Sequence, residues 1–159
     1  MLILLHLASK MHPASQGGRR VGVVMNGSPL FNGGAGSGQS EIRRWLLEKD
    51  LVEAIVALPT DMFFNTGIST YVWIFDNTKS AERAGKVQLI DGSKRFSKVR
   101  KSLGSKRVEI SDVDRKAILA DYAAFATSEV SKILDTQDFG YWTITVERPL
   151  RLRFACTPE

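Results

Sequence analysis

The residues from Asn32 to Trp45, NGGAGSGQSEIRRW, place Gly33, four intervening residues, Gly38, Gln39 and Ser40 in nearly the order of a phosphate-binding loop. In such a loop, backbone N–H groups at a helix N-terminus cradle phosphate oxygens and a lysine reaches the outer ones. Here the lysine position holds uncharged Gln39, and Gly27–Asn32 separate the first of these glycines from the strand-like run before them. A dinucleotide fingerprint fails at the same residue, because its third glycine would fall on Gln39. The stretch therefore reads as a mobile glycine-rich loop at the carboxyl end of a strand, which is where α/β folds hold ligands of some kind.

Other chemistry-bearing residues are dispersed. Asp138–Gly140, DFG, matches the magnesium motif of kinases, but no HRD-type loop or glycine-rich lid with its lysine precedes it, so it reads as a turn. His6 and His12 lie on or just after the first helical stretch, and neither a GxSxG elbow nor an HExxH helix is present. Cys156 is the single cysteine; it forms no internal disulfide and, with two distant histidines, no metal site, which points to a reducing cytoplasm. The opening MLILLHLASKM has no basic segment ahead of its apolar core, no convincing cleavage site, and too few residues to span a bilayer. It reads as an amphipathic helix.

The chain has 159 residues, 43% of them hydrophobic, enough for one ordinary domain with a true core. Its net charge of +5 is concentrated between Lys79 and Arg107, where Lys79, Arg83, Lys86, Lys94, Arg95, Lys98, Arg100, Lys101, Lys106 and Arg107 face only Glu82 and Asp91. Such a run attracts a polyanion such as nucleic acid, or is a solvated basic loop.

The order of elements carries more information. Leu2–Lys10 reads as a helix ended by Pro13 and the Gly17–Gly18 turn, and Val21–Asn26 as a strand. After a loop to Gly38, Ser40 is a plausible N-cap for a helix with Ile42, Trp45 and Leu46 on one face. Leu51–Leu58 is a strand closed by Pro59, which completes a βαβ unit with parallel strands. The next connection, TDMFFNTGIS, is too short for a crossover helix, so Thr70–Asp76 must run antiparallel, in or at the edge of the sheet. Lys86–Asp91 is a further strand. Ser111 caps a helix with acidic Asp112 and Asp114 in its first turn and Ile118, Leu119, Tyr122 and Phe125 on one side. A short helix near Ser128–Leu134, a turn at Gly140 and a strand over YWTITVE (141–147) are expected to follow.

The blocks GSPLFNGGAGSGQSEIRRWLLEKDLVEAIVALPTDMFFNTGISTYVWIFDN, GKVQLIDGS and DFGYWTITVERPL are long and specific. Through them the chain, from about Leu4 to Leu152, resembles the modification subunit of type I restriction–modification systems, an N6-adenine DNA methyltransferase. The resemblance implies a partial Rossmann-like class I methyltransferase sheet, its last three strands with the final one, Thr70–Asp76, antiparallel and inserted between a parallel pair, followed by a helical extension. It implies a division into residues 1–91, the half-sheet, and 92–159, a basic loop and helical tail. The S-adenosylmethionine loop and the Asn-Pro-Pro-Phe/Tyr catalytic loop of that family do not occur in this sequence. The cofactor is therefore expected in the complete parent protein, and none for this chain alone, which is expected to be inactive by itself.

What the resemblance assigns to this half is the target-base side. Enzymes that modify a base in duplex DNA flip it out and hold it by stacking and edge hydrogen bonds. The segment DMFFNTGIS supplies Phe64 as the adenine-stacking candidate with Phe63 as rival, since adjacent residues of an extended segment point to opposite sides; the alternative is that both are core. Asn65, Thr66 and Gly67 would shape the base-pocket loop. Lys94, Arg95, Lys98, Arg100, Lys101 and Lys106 are the DNA-binding candidates, and no metal ligand is expected. The implied partners are DNA and the specificity and restriction subunits of a type I complex, with a homodimer through the exposed half-sheet possible and no membrane. Alternatively the chain is an interaction module that docks a specificity subunit through the helices after Ser111 and the ERPLRL stretch. A nucleotide-binding domain would need Gln39 to replace a lysine.

Overall fold

The computed structural model describes residues 1–148; Cys156 and the end of the ERPLRL stretch lie outside them. Helix α1 (Leu2–Ser9) leads to Pro13, a single 3₁₀ turn and strand β1 (Arg20–Asn26). A one-turn helix, α2 (Ser28–Phe31), interrupts what the sequence suggests is all loop; Pro29, which has no N–H to leave unpaired, sits in its first turn. Helix α3 (Gly38–Glu48) is capped by Ser37 rather than Ser40, whose N–H instead donates to the Ser37 hydroxyl at 3.2 Å. Strands β2 (Val52–Leu58), β3 (Thr70–Asp76) and β4 (Lys86–Asp91) follow.

The main sheet has the order β1-β3-β2-β4 and a fifth strand beyond β4. β3 is antiparallel to both β1 and β2, so those two run the same way, as a crossover through α3 requires; β2 and β4 are parallel. The fifth strand is β7 (Ser131–Asp135), where the sequence suggests a short helix. Tertiary pairing overrides local preference there. The open edge of β4 needs a partner for its backbone groups, and the wholly buried Gln88 amide donates to Ser131 Oγ at 3.0 Å and to the Asp121 carbonyl at 2.9 Å. The sheet thus draws a strand from beyond residue 91.

The basic run is likewise not a loop. Ser97–Leu103 (β5) and Lys106–Glu109 (β6) form an antiparallel hairpin, with Gly104 at φ 60° in its turn. Helix α4 (Asp112–Ala124) starts at Ser111 in a reciprocal capping box with Asp114, as the sequence suggests. Asp138 lies in a 3₁₀ turn (Thr136–Phe139) and closes a second capping box with Asp135, so DFG is a turn. Residues 141–147 are not a strand: they have no ladder partner among the described residues, and Tyr141, Trp142, Ile144 and Val146 are exposed.

One face of the sheet is covered by α1 and α3, which pack Leu4 and Leu46 against Ile55, Trp73, Phe75 and Val87; Ile42 packs with them, but Trp45, expected on the same face, is exposed and Leu47 takes its place. On the other face α4 lays Ile118 and Tyr122 over Val56, Leu58 and Ile90, while Leu119 points outward. Over β1 that second face is open, with Val24 49% exposed, and β1 itself is an edge strand. Among the described residues no helix is long and apolar enough to cross a membrane.

Charge is buried at one place. A register shift between Val52 and Ala54 sets the Glu53 carboxylate, 1% exposed, against the Arg20 guanidinium at 3.1 Å and Arg83 Nε at 3.7 Å. Arg83 lies between the Tyr122 and Phe125 rings, 4.5 and 4.2 Å from their centroids, and donates to the Tyr122 carbonyl at 2.6 Å. Burial, and then the neighbouring Glu53, push the Tyr122 phenol up to about 12. Lys79, almost fully buried, pairs with Asp50 at 2.5 Å. Two cations of the basic run are therefore structural. Replacement of Glu53 by Gln should strand the Arg83 charge and lower unfolding free energy by about 3 kcal/mol, at the low end for a broken buried pair because Arg20 reaches water; urea unfolding at neutral pH measures it.

Asp76 gives a pH dependence. Burial works to raise its pKa, but the Thr78 N–H and hydroxyl and the Arg20 guanidinium outweigh burial, and the net shift is downward. A carboxylate lowered in the folded state contributes stability that is present above its unfolded value, about 4, and lost as pH falls through the folded value. The stability difference between the wild type and Asp76→Asn should therefore be largest near neutrality and shrink below about pH 4, as urea midpoints taken from pH 7 to 3 would show.

Candidate nucleic-acid interface

Because β1, β2 and β4 are parallel, the segments after all three leave the same end of the sheet. Those segments are the glycine-rich stretch after β1, residues 59–69 after β2, and the β5–β6 hairpin after β4. This carboxyl end is where an α/β sheet presents a site.

In the middle segment Phe63 and Thr66 form an isolated antiparallel bridge around a tight turn at Phe64 and Asn65. Phe64 is 61% exposed, and Phe63 is half-buried. Asn65 and Gly67 are exposed and Thr66 is half-buried. Asp61 opens the segment at φ 56°, a conformation costly for a residue with a side chain. A Cβ at Gly67 would lie 2.5 Å from Asp61 Oδ1, so a side chain there would have to push the Asp61 carboxylate aside.

The hairpin is joined to this loop through backbone. Ser105 N–H donates to the Phe64 carbonyl at 2.8 Å, and the Arg107 and Val108 N–H groups to the Asp61 carbonyl at 2.8 and 3.3 Å. The candidate base-pocket loop and the candidate cations are thereby brought together. Lys94, Lys98, Arg100 and Lys101 are exposed and form no ion pair among the described residues. Arg95 is held by Asp121 at 2.6 Å, and Lys106 lies 4.0 Å from Glu109, so these two are the least free for another anion. A groove of about 570 Å³ runs between Thr60–Asp61 and the hairpin, lined by Phe96, Lys98, Val99 and Arg107. Nearby, the Ser93 hydroxyl and N–H hold the Asp91 carboxyl below the usual carboxylate range.

The glycine-rich stretch is arranged unlike a phosphate cradle. The Arg43 guanidinium donates to the carbonyls of Pro29, Asn32 and Gly33 at 3.2, 2.5 and 3.0 Å, and the Ser40 N–H is taken by Ser37. Carbonyls converge on a cation where a phosphate site would converge N–H groups. The start of the loop is pinned rather than mobile. Among the described residues no group of three or more His, Cys, Asp or Glu side chains is placed to hold a metal ion.

The sequence reading missed Gly104, Asp61 and Phe96. A glycine between two alternating runs, SKVRKSL and KRVE, is a hairpin signal, obscured here by the density of cations.

Known proteins agree with this architecture. The family model for N-6 DNA Methylase matches residues 2–146. The chain is 39% identical over 80 residues to the type I restriction enzyme MjaVII methylase subunit of Methanocaldococcus jannaschii, covering 50% of this chain and 13% of that protein. It is 35% identical over 75 residues to the EcoKI methylase subunit of Escherichia coli, covering 47% and 13%. The chain thus spans 13% of the length of these curated relatives. A type I restriction-modification methyltransferase subunit from Streptococcus thermophilus superposes with a TM-score of 0.62 at 27% identity, over 75% of this chain and 23% of that one. A modification subunit assigned to a type I restriction enzyme from Vibrio vulnificus, at 17% identity, shares the fold with a TM-score of 0.68 over 89% of this chain and 28% of its own. With a sheet whose parallel strands open onto one loop cluster and a family model that matches nearly the whole described chain, this protein belongs to the N-6 DNA Methylase family.

Proposed function

We propose that this chain is the target-base half of the catalytic domain, with part of the tail, of a type I modification subunit, a DNA methyltransferase that transfers a methyl group from S-adenosylmethionine to adenine N6. On this reading β1, β2 and β3 are the last three strands of the methyltransferase sheet, and the open edge of β1 adjoins the half that carries the donor and the catalytic loop. The observation that carries it is the junction at the carboxyl end of the sheet, where the exposed Phe64 and the exposed cations Lys98, Arg100 and Lys101 stand on segments hydrogen-bonded to each other. Phe64 stacks on the extrahelical adenine, Phe63 packs inward, and Asn65, Thr66 and Gly67 shape the pocket rim. The cations, with Lys94 beside them, contact phosphates, which position the protein without reading sequence. DNA and a specificity subunit are the partners, with the restriction subunit joining the same complex.

A second role is favoured by the exposed stretch at residues 141–147. Trp142, Ile144 and Val146 alternate in sequence along an exposed segment with no partner strand among the described residues, as a segment that docks on the specificity subunit would. Serine replacement of Trp142 and Ile144 should weaken assembly with that subunit while leaving the chain's own unfolding midpoint unchanged; co-sedimentation and urea melts check the pair.

Two further outcomes test the reading. In the complete modification subunit with its specificity partner, alanine at Lys98, Arg100 and Lys101 should weaken binding to all duplexes alike and flatten the dependence of log K on log salt by about 0.9 per lost phosphate contact. An unchanged slope would make the hairpin a solvated surface. Phe64→Ala should leave duplex affinity nearly intact and slow methyl transfer, since stacking acts after the base has left the helix. Transfer of labelled methyl to adenine by the 159-residue chain alone would refute the half-enzyme reading.

A further inference from the structure

Resting on the reading of Phe64 as the stacking residue, we propose that Gly104 is a positioning residue for Phe64, and that the hairpin carrying Lys98, Arg100 and Lys101 fixes where that ring stands. The main-chain bonds from Ser105, Arg107 and Val108 hold the loop at two points, Asp61 near its start and Phe64 in its turn. Gly104 sits at φ 60° against this contact. A Cβ added there would lie 2.5 Å from the Phe64 carbonyl oxygen and 2.9 Å from ring carbons Cδ2 and Cε2. No side chain fits without displacing either the Phe64 backbone or its ring. The ring is therefore backed by the hairpin turn and open on its other side, being 61% exposed.

The arrangement has a functional consequence. The cations and the backing for the ring belong to one two-stranded unit, so phosphate contacts made by β5 place the stacking face at a set offset from the DNA backbone. A ring on a free loop would have to be ordered at each turnover, and an exposed turn has backbone freedom to lose.

Glycine's two contributions at this position, its backbone conformation and its lack of bulk, are separable. Asparagine tolerates the left-handed region but carries the offending Cβ. The 159-residue chain is prepared with para-fluorophenylalanine at position 64, and fluorine NMR and Ser105 amide exchange are recorded for Gly104 and for Gly104→Asn. The variant should move the fluorine resonance toward its solvent-exposed position and speed Ser105 exchange by about ten-fold or more, while the unfolding midpoint followed by far-UV circular dichroism stays put. An unmoved resonance with unchanged exchange overturns the proposal. So does the absence, in the unsubstituted chain, of a fluorine-to-proton Overhauser effect between position 64 and the Gly104 α-protons, a measurement that does not depend on the variant's folding. In the complete modification subunit, Gly104→Asn should lower kcat by about ten-fold with duplex KM within about two-fold, and add no further loss to Phe64→Ala. An unchanged kcat in a variant whose resonance has moved also overturns it. A wild-type rate for Phe64→Ala overturns instead the stacking reading, and the fluorine result still decides whether Gly104 sets the ring.

Discussion

The connection between β2 and β3 is the constraint from which the rest follows. Pro59–Ser69 is too short to carry a crossover helix, so β3 has to return antiparallel. In doing so it takes the position between β1 and β2 and separates two strands that α3 has already made parallel. Three parallel strands then release their outgoing segments at one end of the sheet. The short connection itself is one of those segments, so the turn that forces the topology is also the turn that presents Phe64.

Cations divide between two roles, and the division follows from what each can reach. Arg20 and Arg83 face the buried carboxylates of Glu53 and Asp76, and the buried Lys79 faces Asp50, whose own side chain is partly exposed. In that setting removal of one member leaves an uncompensated charge, so these residues hold β1, β2 and the loop before β4 together. Lys98, Arg100 and Lys101 stand on a two-stranded ribbon with water around it, where attraction to a fixed carboxylate would be worth little. Their charge remains available to a polyanion. A count of basic residues from Lys79 to Arg107 merges the two groups, and only the fold separates them.

Legibility in the sequence tracks how local the deciding interaction is. The β2–β3 reversal could be read because loop length alone settles it, and the Ser111 cap because its partner Asp114 is three residues away. β7 could not, because Ser131–Asp135 becomes a strand through pairing with β4 and the demand of the buried Gln88 amide, more than forty positions distant. The pinned glycine loop was hidden for a similar reason: Arg43 lies one helical turn into α3, and nothing local says that its guanidinium folds back onto Pro29, Asn32 and Gly33. Phe64 could be named as a candidate through the resemblance, but the close approach of Gly104 to its ring required the hairpin to be seen.

The hairpin and the Phe64 loop also show how an exposed aromatic can be kept in place at low cost. Burying the ring would hold it, but would remove it from any base. Main-chain bonds to Asp61 and Phe64 instead fix the loop backbone while leaving one ring face in solvent. The left-handed conformation at Asp61 and the close approaches at Gly67 and Gly104 are strained or crowded features that persist because the β6 bonds over-determine the loop. Strain held by backbone rather than by side-chain packing is insensitive to what the side chains at positions 64 and 65 are doing. That leaves their surfaces free to meet a ligand without loosening the turn that carries them.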